Sequence, residues 1–388
     1  MIRTMQPTPQ DEQFMREALS LARQGIALAS PNPRVGAVIV DVQGNVVGRG
    51  FHTFEGVKHA EVLAIEEAGD RARGATLYLN LEPCSHQGRT GPCADAVIVG
   101  GIKRVFAAME DPNPLVKGQG LAKLRSAGIA LHMGLLEDEA RDLNEAFTKF
   151  ARTKMPLVTL KAGMTLDGKI APPPGDSTTP IPAGFTGNWI TSEEARAHVQ
   201  HLRHDMDAIL VGVGTVIADD PLLTDRTGLP RRRRLLRVIL DSRLRLPLDS
   251  RLVNTVEDND LIVFCSFAEE NRKSELERRG IRVCQVVMSK EAGHPDLEQV
   301  LCRLGEMHVT SVLMEGGANV NWVALQNGLV DKVFLYYAPT ILAGGDSVPL
   351  AGGYGFRNVN EAPHAKNIRL HRFGEDFAVE GYLKDPYA

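Results

Sequence analysis

One histidine, two cysteines and a glutamate are spaced so that they could hold a metal ion and move a proton beside it. His59-Ala60-Glu61 is followed by Glu82-Pro83-Cys84 and then by Cys93. An imidazole and two thiolates give Zn²⁺ three protein ligands and leave its fourth position open for water. Glu61 is then free to take a proton from that water and pass it to a departing amine. His-x-Glu followed by Pro-Cys and a second Cys is the constellation of hydrolytic deamination of an amino-substituted ring. The segment Ser85 to Pro92 separates the cysteines by more than the Cys-x-x-Cys of nucleobase deaminases. It is polar and Gly-rich, and it carries His86 and Arg89, so a loop pinned at both ends by ligands suits substrate contacts. A closed structural zinc site would need a fourth protein ligand, for which His86 is the candidate. Such a site has no use for Glu61, and the catalytic reading is the stronger one.

These residues must be brought together by alternating helices and strands. Thr8-Pro9 predicts a helix start, with Phe14, Ala18, Leu21 and Ala22 as its apolar stripe and Gly25 as its end. Val35 to Asp41 and Val46 to Gly50 read as strands joined at Gly44-Asn45. His59 to Ala68 reads as a helix, Thr76 to Leu81 as a strand and Pro92 to Val99 as a helix. Lys103 to Met109, Leu121 to Ala127 and Glu137 to Arg152 follow as strand, helix and helix. This order predicts a βαβ-type sheet covered on both faces, with His59 and Cys93 each at a helix N-terminus, where partial positive charge favours thiolate.

A boundary near Thr153-Lys154-Met155-Pro156 divides residues 1–152 from residues 153–388. The second part reads as another α/β domain. It opens with a strand from Leu157 to Ala162, followed by a Pro-, Gly-, Ser- and Thr-rich loop from Pro172 to Thr186. Thr191 with Glu194 predicts a capping box for a helix reaching His204. Strands at Ala208–Val213, Arg237–Asp241, Leu261–Cys265, Arg282–Val287, Ser311–Glu315 and Val330–Ala338 alternate with helices at Glu269–Arg279, Asp296–Glu306 and Asn319–Gln326. Glu315-Gly316-Gly317 joins a strand to a helix, where free N–H groups could meet a phosphate or where the chain simply turns. Asp219-Asp220-Pro221 to Thr224, with Arg226 beyond it, reads as a polar turn that could meet a ligand. Arg231 to Arg234 reads as a solvated loop; a nucleic-acid surface would need wider support.

The whole composition gives none. A chain of 388 residues with 43% hydrophobic and 24% charged residues, 5% aromatics and a net charge of −4 is that of a globular protein without a basic face. It has no apolar run of about 18 residues, so no membrane span is expected. Met1 to Gln10 lacks the apolar core of a signal peptide. Five cysteines, two of them assigned to metal, point to a reducing cytoplasm, with Cys265, Cys284 and Cys302 read as core thiols.

Over nearly its full length the chain resembles the bifunctional riboflavin-biosynthesis deaminase–reductases. In the first part the match rests on Ser30-Pro31-Asn32-Pro33, Val35-Gly36-Ala37-Val38, His59-Ala60-Glu61-Val62, Leu81 to His86 through Cys93, and Asp111-Pro112-Asn113-Pro114. In the second it rests on Leu166-Asp167-Gly168-Lys169-Ile170-Ala171, Trp189-Ile190-Thr191-Ser192, Ala218-Asp219-Asp220-Pro221, Asp241-Ser242 and Glu315-Gly316-Gly317. The resemblance implies a cytidine-deaminase-like α/β/α domain followed by a dihydrofolate-reductase-like α/β domain. It implies zinc-dependent deamination of a diaminopyrimidinone ribosyl phosphate, then NADPH-dependent reduction of the ribosyl group to ribityl. Carried over, His59, Cys84 and Cys93 hold zinc, Glu61 shuttles the proton, and Asn32, His52, His86 and Arg89 contact this substrate. Gly163, Trp189, Thr215, Asp219, Ser242 and the run Gly317, Ala318, Asn319, Val320, Asn321, Trp322 and Val323 line NADPH. Lys161, Arg203, Leu223, Arg226 and Glu315 face the sugar. The partner expected is therefore a small phosphorylated pyrimidine, with no nucleic acid and no membrane, and the assembly expected is a cytoplasmic homo-oligomer. The chain departs from the family in having Leu63 where a His is usual, and in a longer Pro172–Thr186 segment.

Overall fold

Helix α1 (Pro9–Arg23) begins where Thr8 and Pro9 predict it. The Thr8 hydroxyl accepts from the Asp11 N–H at 3.2 Å, and the Asp11 carboxylate accepts from the Thr8 N–H at 2.7 Å. Its buried stripe is Met15, Ala18, Leu19 and Ala22, with Phe14 and Leu21 at the margin, so the helix is rotated from the expected face. The computed structural model describes residues 6–87, 91–114, 116–173, 189–257, 260–289 and 293–388. The chain divides into two units: Met1–Lys154 with Pro230–Arg233 and Tyr387, and Met155–Leu229 with Arg234–Pro386 and Ala388.

In the first unit α1 leads to β1 (Gly36–Val40), β2 (Val46–Phe51), α2 (Ala60–Ala68), β3 (Thr76–Leu79), α3 (Cys93–Val99), β4 (Arg104–Ala107), α4 (Gln119–Ser126), β5 (Ala130–Met133) and α5 (Glu137–Thr153). The sheet order is β2-β1-β3-β4-β5. β1 runs antiparallel to both neighbours, and β3, β4 and β5 are parallel. This is the cytidine-deaminase-like arrangement. β5 was not foreseen. It is a four-residue edge strand whose positions are all half-buried, so it carries no in–out alternation to read.

The second unit runs β6 (Leu157–Thr165), β7 (Lys169–Ala171), α6 (Glu193–Asp205), β8 (Ala208–Gly212), α7 (Val213–Asp219), β9 (Leu236–Leu240), α8 (Arg251–Asn254), β10 (Leu261–Cys265), α9 (Glu270–Glu277), β11 (Arg282–Gln285), α10 (Leu297–Glu306), β12 (Ser311–Met314), α11 (Ala318–Gln326), β13 (Lys332–Ala338), β14 (Val348–Pro349), β15 (Lys366–Phe373) and β16 (Asp376–Tyr382). Its main sheet has the order β11-β10-β9-β8-β12-β6-β13-β16-β15. From β11 to β13 the strands are parallel, with β8, β9, β10 and β12 buried almost throughout, and the end of the sheet is antiparallel.

Four expectations are corrected by tertiary contacts. Ser192, not Thr191, caps α6: its hydroxyl accepts from the Ala195 N–H at 3.2 Å, while Asp376 fixes its own N–H at 2.6 Å. Asp219 is the last residue of a helix, α7, so the irregular polar stretch begins one residue later, at Asp220. Cys302 is exposed on α10 and is no core thiol. The arginine run is a loop but not a wholly solvated one: Arg234 is 51% exposed, whereas the Arg232 side chain is 16% exposed and its N–H donates to the Ala27 carbonyl at 3.0 Å within the first unit. The segment 174–188, and with it nearly all of the Pro172–Thr186 loop, lies outside the described residues.

Candidate functional site

His59 is the N-cap of α2, and Cys93 is the first residue of α3. Helix α2 lies flush on β2 because that strand offers glycine: a Cβ at Gly50 would fall 2.2 Å from the Ala60 carbonyl oxygen. Leu63, where the family usually has His, faces Gly50 and is not among the ligand atoms. His59 Nδ1 lies 3.1 Å from Cys93 Sγ and 3.6 Å from Cys84 Sγ, and all three ligand atoms are within 4.8 Å of one another. The Cys93 N–H donates to Cys84 Sγ at 3.3 Å. His86 is exposed and does not join them, so three ligands come together among the described residues.

The thiols of the site favour a bound cation. Hydrogen bonding from Cys93 first, and from His59, pulls the Cys84 thiol down to about 4. The same sharing pushes the Cys93 thiol up. Thiolate is the form in which cysteine ligates zinc, and the close approach of Cys84, Cys93 and His59 favours it at Cys84. The Cys₂His donor set and its spacing fit zinc. Glu61 is 3% exposed, and its Oε2 has no hydrogen-bond partner among the described residues. Burial pushes its carboxyl up to about 7.

Beside the ligands, the Asn32 amide meets His52 Nε2 at 2.9 Å. His52 Nδ1 donates to the Lys58 carbonyl at 3.0 Å, which turns Nε2 toward Asn32. The His52 ring stands edge-on to His59 with centroids 5.0 Å apart. Arg89 lies outside the described residues.

Two supporting residues escaped the sequence reading. Glu82 is buried and accepts from the N–H groups of Asp111, Gly118 and Leu121 at 3.0, 2.9 and 3.2 Å, tying the Cys84 turn to the start of α4. Burial, followed by the charge of Glu82, raises the Asp111 carboxyl to about 6. Gly120 is the second. A Cβ there would lie 1.9 Å from the Pro83 carbonyl oxygen. Gly120→Ala must therefore displace the Pro83-Cys84 turn. The expected result is zinc held about 10–100-fold more weakly in a chelator titration, with reductase activity retained. Unchanged zinc affinity would show that the turn is not set by this contact.

In the second unit, parallel register makes the site. Leu160 of β6 pairs with Met314 of β12, which sets the next residues, Lys161 and Glu315, side by side. Lys161 Nζ is 3.7 Å from Glu315 Oε2. From α6, Arg203 donates to both carboxylate oxygens of Glu315 at 2.7 and 2.9 Å, and to the Thr224 carbonyl at 3.1 Å. The three side chains are 11–16% exposed. Burial alone would raise Glu315, but Arg203 and then Lys161 outweigh it and bring its carboxyl down to about 2. Burial lowers Lys161. Its ammonium lies 5.9 Å from the centroid of the Tyr336 ring, whose hydroxyl meets His198 Nδ1 at 2.6 Å.

The other residues assigned to NADPH and sugar are spread around this trio. Gly316 and Gly317 have φ of 89° and 54°, a left-handed turn that glycine adopts without strain. Gly317 caps α11, and Thr215 Oγ1 sits 3.3 Å from where its Cβ would be. β8 and β12 are adjacent and parallel, so this turn and the start of α7 lie together at the carboxyl ends of the strands, the place where open α/β sheets take ligands. Asn319 is exposed, and Ala318 accepts from the Gly352 N–H at 2.9 Å. Asn321 is buried and donates to the Leu350 carbonyl at 2.7 Å; Trp322 packs edge-on against Phe356; Val320 and Val323 pack on the core. Gly163 of β6 faces Thr191. Trp189 is 66% exposed under the Arg196 guanidinium. Asp219 is exposed, Leu223 is buried with φ of 51°, and the exposed Arg226 is held through its N–H by Gln200 at 3.2 Å. The Ser242 carbonyl accepts from the Ser266 and Phe267 N–H groups. A cradle of strand ends, paired glycines and a helix start fits a dinucleotide.

Among the described residues no helix is long and apolar enough to cross a membrane. Comparison with known proteins matches residues 8–109 to the cytidine and deoxycytidylate deaminase zinc-binding region, and residues 156–379 to the RibD C-terminal domain. The chain is 40% identical over 379 residues to the riboflavin biosynthesis protein RibD of Actinobacillus pleuropneumoniae, covering 98% of this chain and 97% of the relative. It is 41% identical over 370 residues to that of Aquifex aeolicus, covering 95% and 97%. Among solved structures, Acinetobacter baumannii RibD superposes with a TM-score of 0.81 at 35% identity, covering 96% of this chain and 98% of that one. A diaminohydroxyphosphoribosylaminopyrimidine deaminase/5-amino-6-(5-phosphoribosylamino)uracil reductase from Thermotoga maritima gives 0.79 at 36% identity, with the same coverages.

Proposed function

The chain belongs to the RibD family of riboflavin-biosynthesis deaminase–reductases, and from that premise we propose how its own residues divide the two reactions. It is a zinc-dependent pyrimidine deaminase and an NADPH-dependent reductase in one polypeptide. The observation that carries the deaminase assignment is the His59–Cys84–Cys93 cluster with the buried Glu61 carboxylate oxygen that has no hydrogen-bond partner among the described residues. When bound there, zinc supplies Lewis acidity that makes water reactive near neutral pH. Glu61 takes the proton from the attacking water and returns it to the amine. The water oxygen becomes the ring carbonyl, the C–N bond breaks, and ammonia leaves. Asn32 and His52 hold the pyrimidine edge, and we assign His86 and Arg89 to the same substrate.

In the reductase, NADPH supplies the hydride that reduces the anomeric carbon. Lys161 gives the proton that the reduction consumes, Glu315 and Arg203 fix the sugar hydroxyls, and Leu223 and Arg226 bound the substrate from the adjoining loop. Gly163, Trp189, Thr215, Asp219, Ser242 and residues 317–323 hold the dinucleotide. Residues 1–152 carry the first reaction and residues 153–388 the second. Free thiols at both metal-ligating cysteines suit a reducing cytoplasm, and the assembly we expect, a homo-oligomer, is open to sedimentation of the intact chain.

The test is a bypass. Cys84→Ser should stop ammonia release from the diaminopyrimidinone ribosyl phosphate and, with it, NADPH oxidation. Supplying the separately prepared deaminated product should restore NADPH oxidation to within about twofold of the unaltered chain, since sites that share no partners act additively. Failure of that product to be reduced would overturn the division of residues between two sites.

A further inference from the structure

The arginine run, which neither reaction uses, lies against the two loops that carry Asn32 and His52. Arg232 touches both. Its N–H donates to the Ala27 carbonyl at 3.0 Å on the first loop. Its guanidinium lies over the Phe54 ring on the second, 4.2 Å from the centroid, with Glu55 Oε1 3.9 Å away. Arg233 reaches Ser30 Oγ at 3.4 Å, two residues before Asn32. The loops also meet each other: the Phe54 N–H donates to the Leu28 carbonyl at 3.0 Å, and Asn32 meets His52. The His52 N–H also donates to the Val35 carbonyl at 2.9 Å, where the loops leave β1 and β2, so Arg232 holds the ends of the loops away from that pairing. A planar guanidinium on an aromatic face adds a directional hold that a mobile surface charge does not.

We propose that Arg232 and Arg233 are positioning residues of the deaminase site, supplied from far beyond the zinc-binding stretch of the sequence, and that they hold the Asn32 and His52 loops in the placement that binds the pyrimidine. This rests on the reading of Asn32 and His52 as substrate contacts. In the intact zinc-loaded chain, Arg232→Ala should raise the KM of deamination about tenfold while kcat changes less than about threefold. Zinc content and reduction of supplied deaminated product should stay unchanged. Phe54→Leu should raise KM similarly, and the double variant should add little, because both changes remove one contact. Arg232→Lys should recover only part of the loss. A KM within about twofold of the unaltered chain, additive single effects, or a KM rise matched by lost zinc would overturn the proposal. Asn32→Ala, measured alongside, separates the two readings. A raised KM there with an unchanged KM in Arg232→Ala sinks the positioning role alone, whereas an unchanged KM in Asn32→Ala removes its premise as well.

Discussion

Replacing Glu61 by Gln is expected to lower the kcat of deamination by about 10³-fold, within the range that a positioned proton-transfer group contributes. The zinc stoichiometry should not change, because the three ligand atoms come from His59, Cys84 and Cys93. The amide matches the carboxyl in shape, so the buried pocket is neither emptied nor overfilled. What is lost is the ability to accept a proton at the carboxylate oxygen that has no hydrogen-bond partner among the described residues. Reduction of supplied deaminated product should proceed as before. Stopped-flow ammonia release together with metal analysis decides the matter: residual activity within tenfold of the unaltered chain, or loss of zinc, would show that Glu61 is not the proton shuttle.

Replacing Glu315 by Gln should damage the reductase and its fold together. Arg203 and Lys161 would be left as buried cations without their shared counter-ion. Breaking a buried pair on one side costs about 3–5 kcal/mol, and the reductase kcat/KM should fall about 10²-fold or more as the trio loses its fixed geometry. The pH dependence follows from the depressed carboxyl. Its folded value of about 2 lies below the ordinary 4.5, so its contribution is fully present above about pH 4.5 and is lost as the pH falls toward 2. Unfolding of the unaltered protein should therefore lose stability in that window, and Glu315→Gln should lose less there. Equal acid sensitivity in the two proteins, or intact reductase kinetics in the variant, would rule out the ion trio as the organiser of this site.

Local signals made much of the fold legible. Thr8-Pro9, Gly69 and the apolar periodicity placed α1 and α2, and most strands of both units fell within a few residues of their expected limits. Caps and periodicity act within a turn or two of chain, so they survive without knowledge of distant contacts. The same locality explains the misses. Thr191 and Ser192 are equally good caps as residue types, and the choice went to Ser192 because Asp376, far away in sequence, binds its N–H. Cys302 occupies a helix whose apolar face was clear, yet its own position points to solvent.

By itself the sequence determined the metal chemistry: His59, Glu61, Cys84 and Cys93 are recognisable because ligand type and short spacing dictate what they can do. Only the tertiary structure decided what surrounds that chemistry. Glu82 gathers three backbone N–H groups across the α4 turn. Strand register sets Lys161 beside Glu315. Arg232, read as solvated, packs on Phe54. Each of these depends on which distant segments pair and bury one another. No local pattern encodes that, because register and burial are settled by the competition of whole strands and helices for one core.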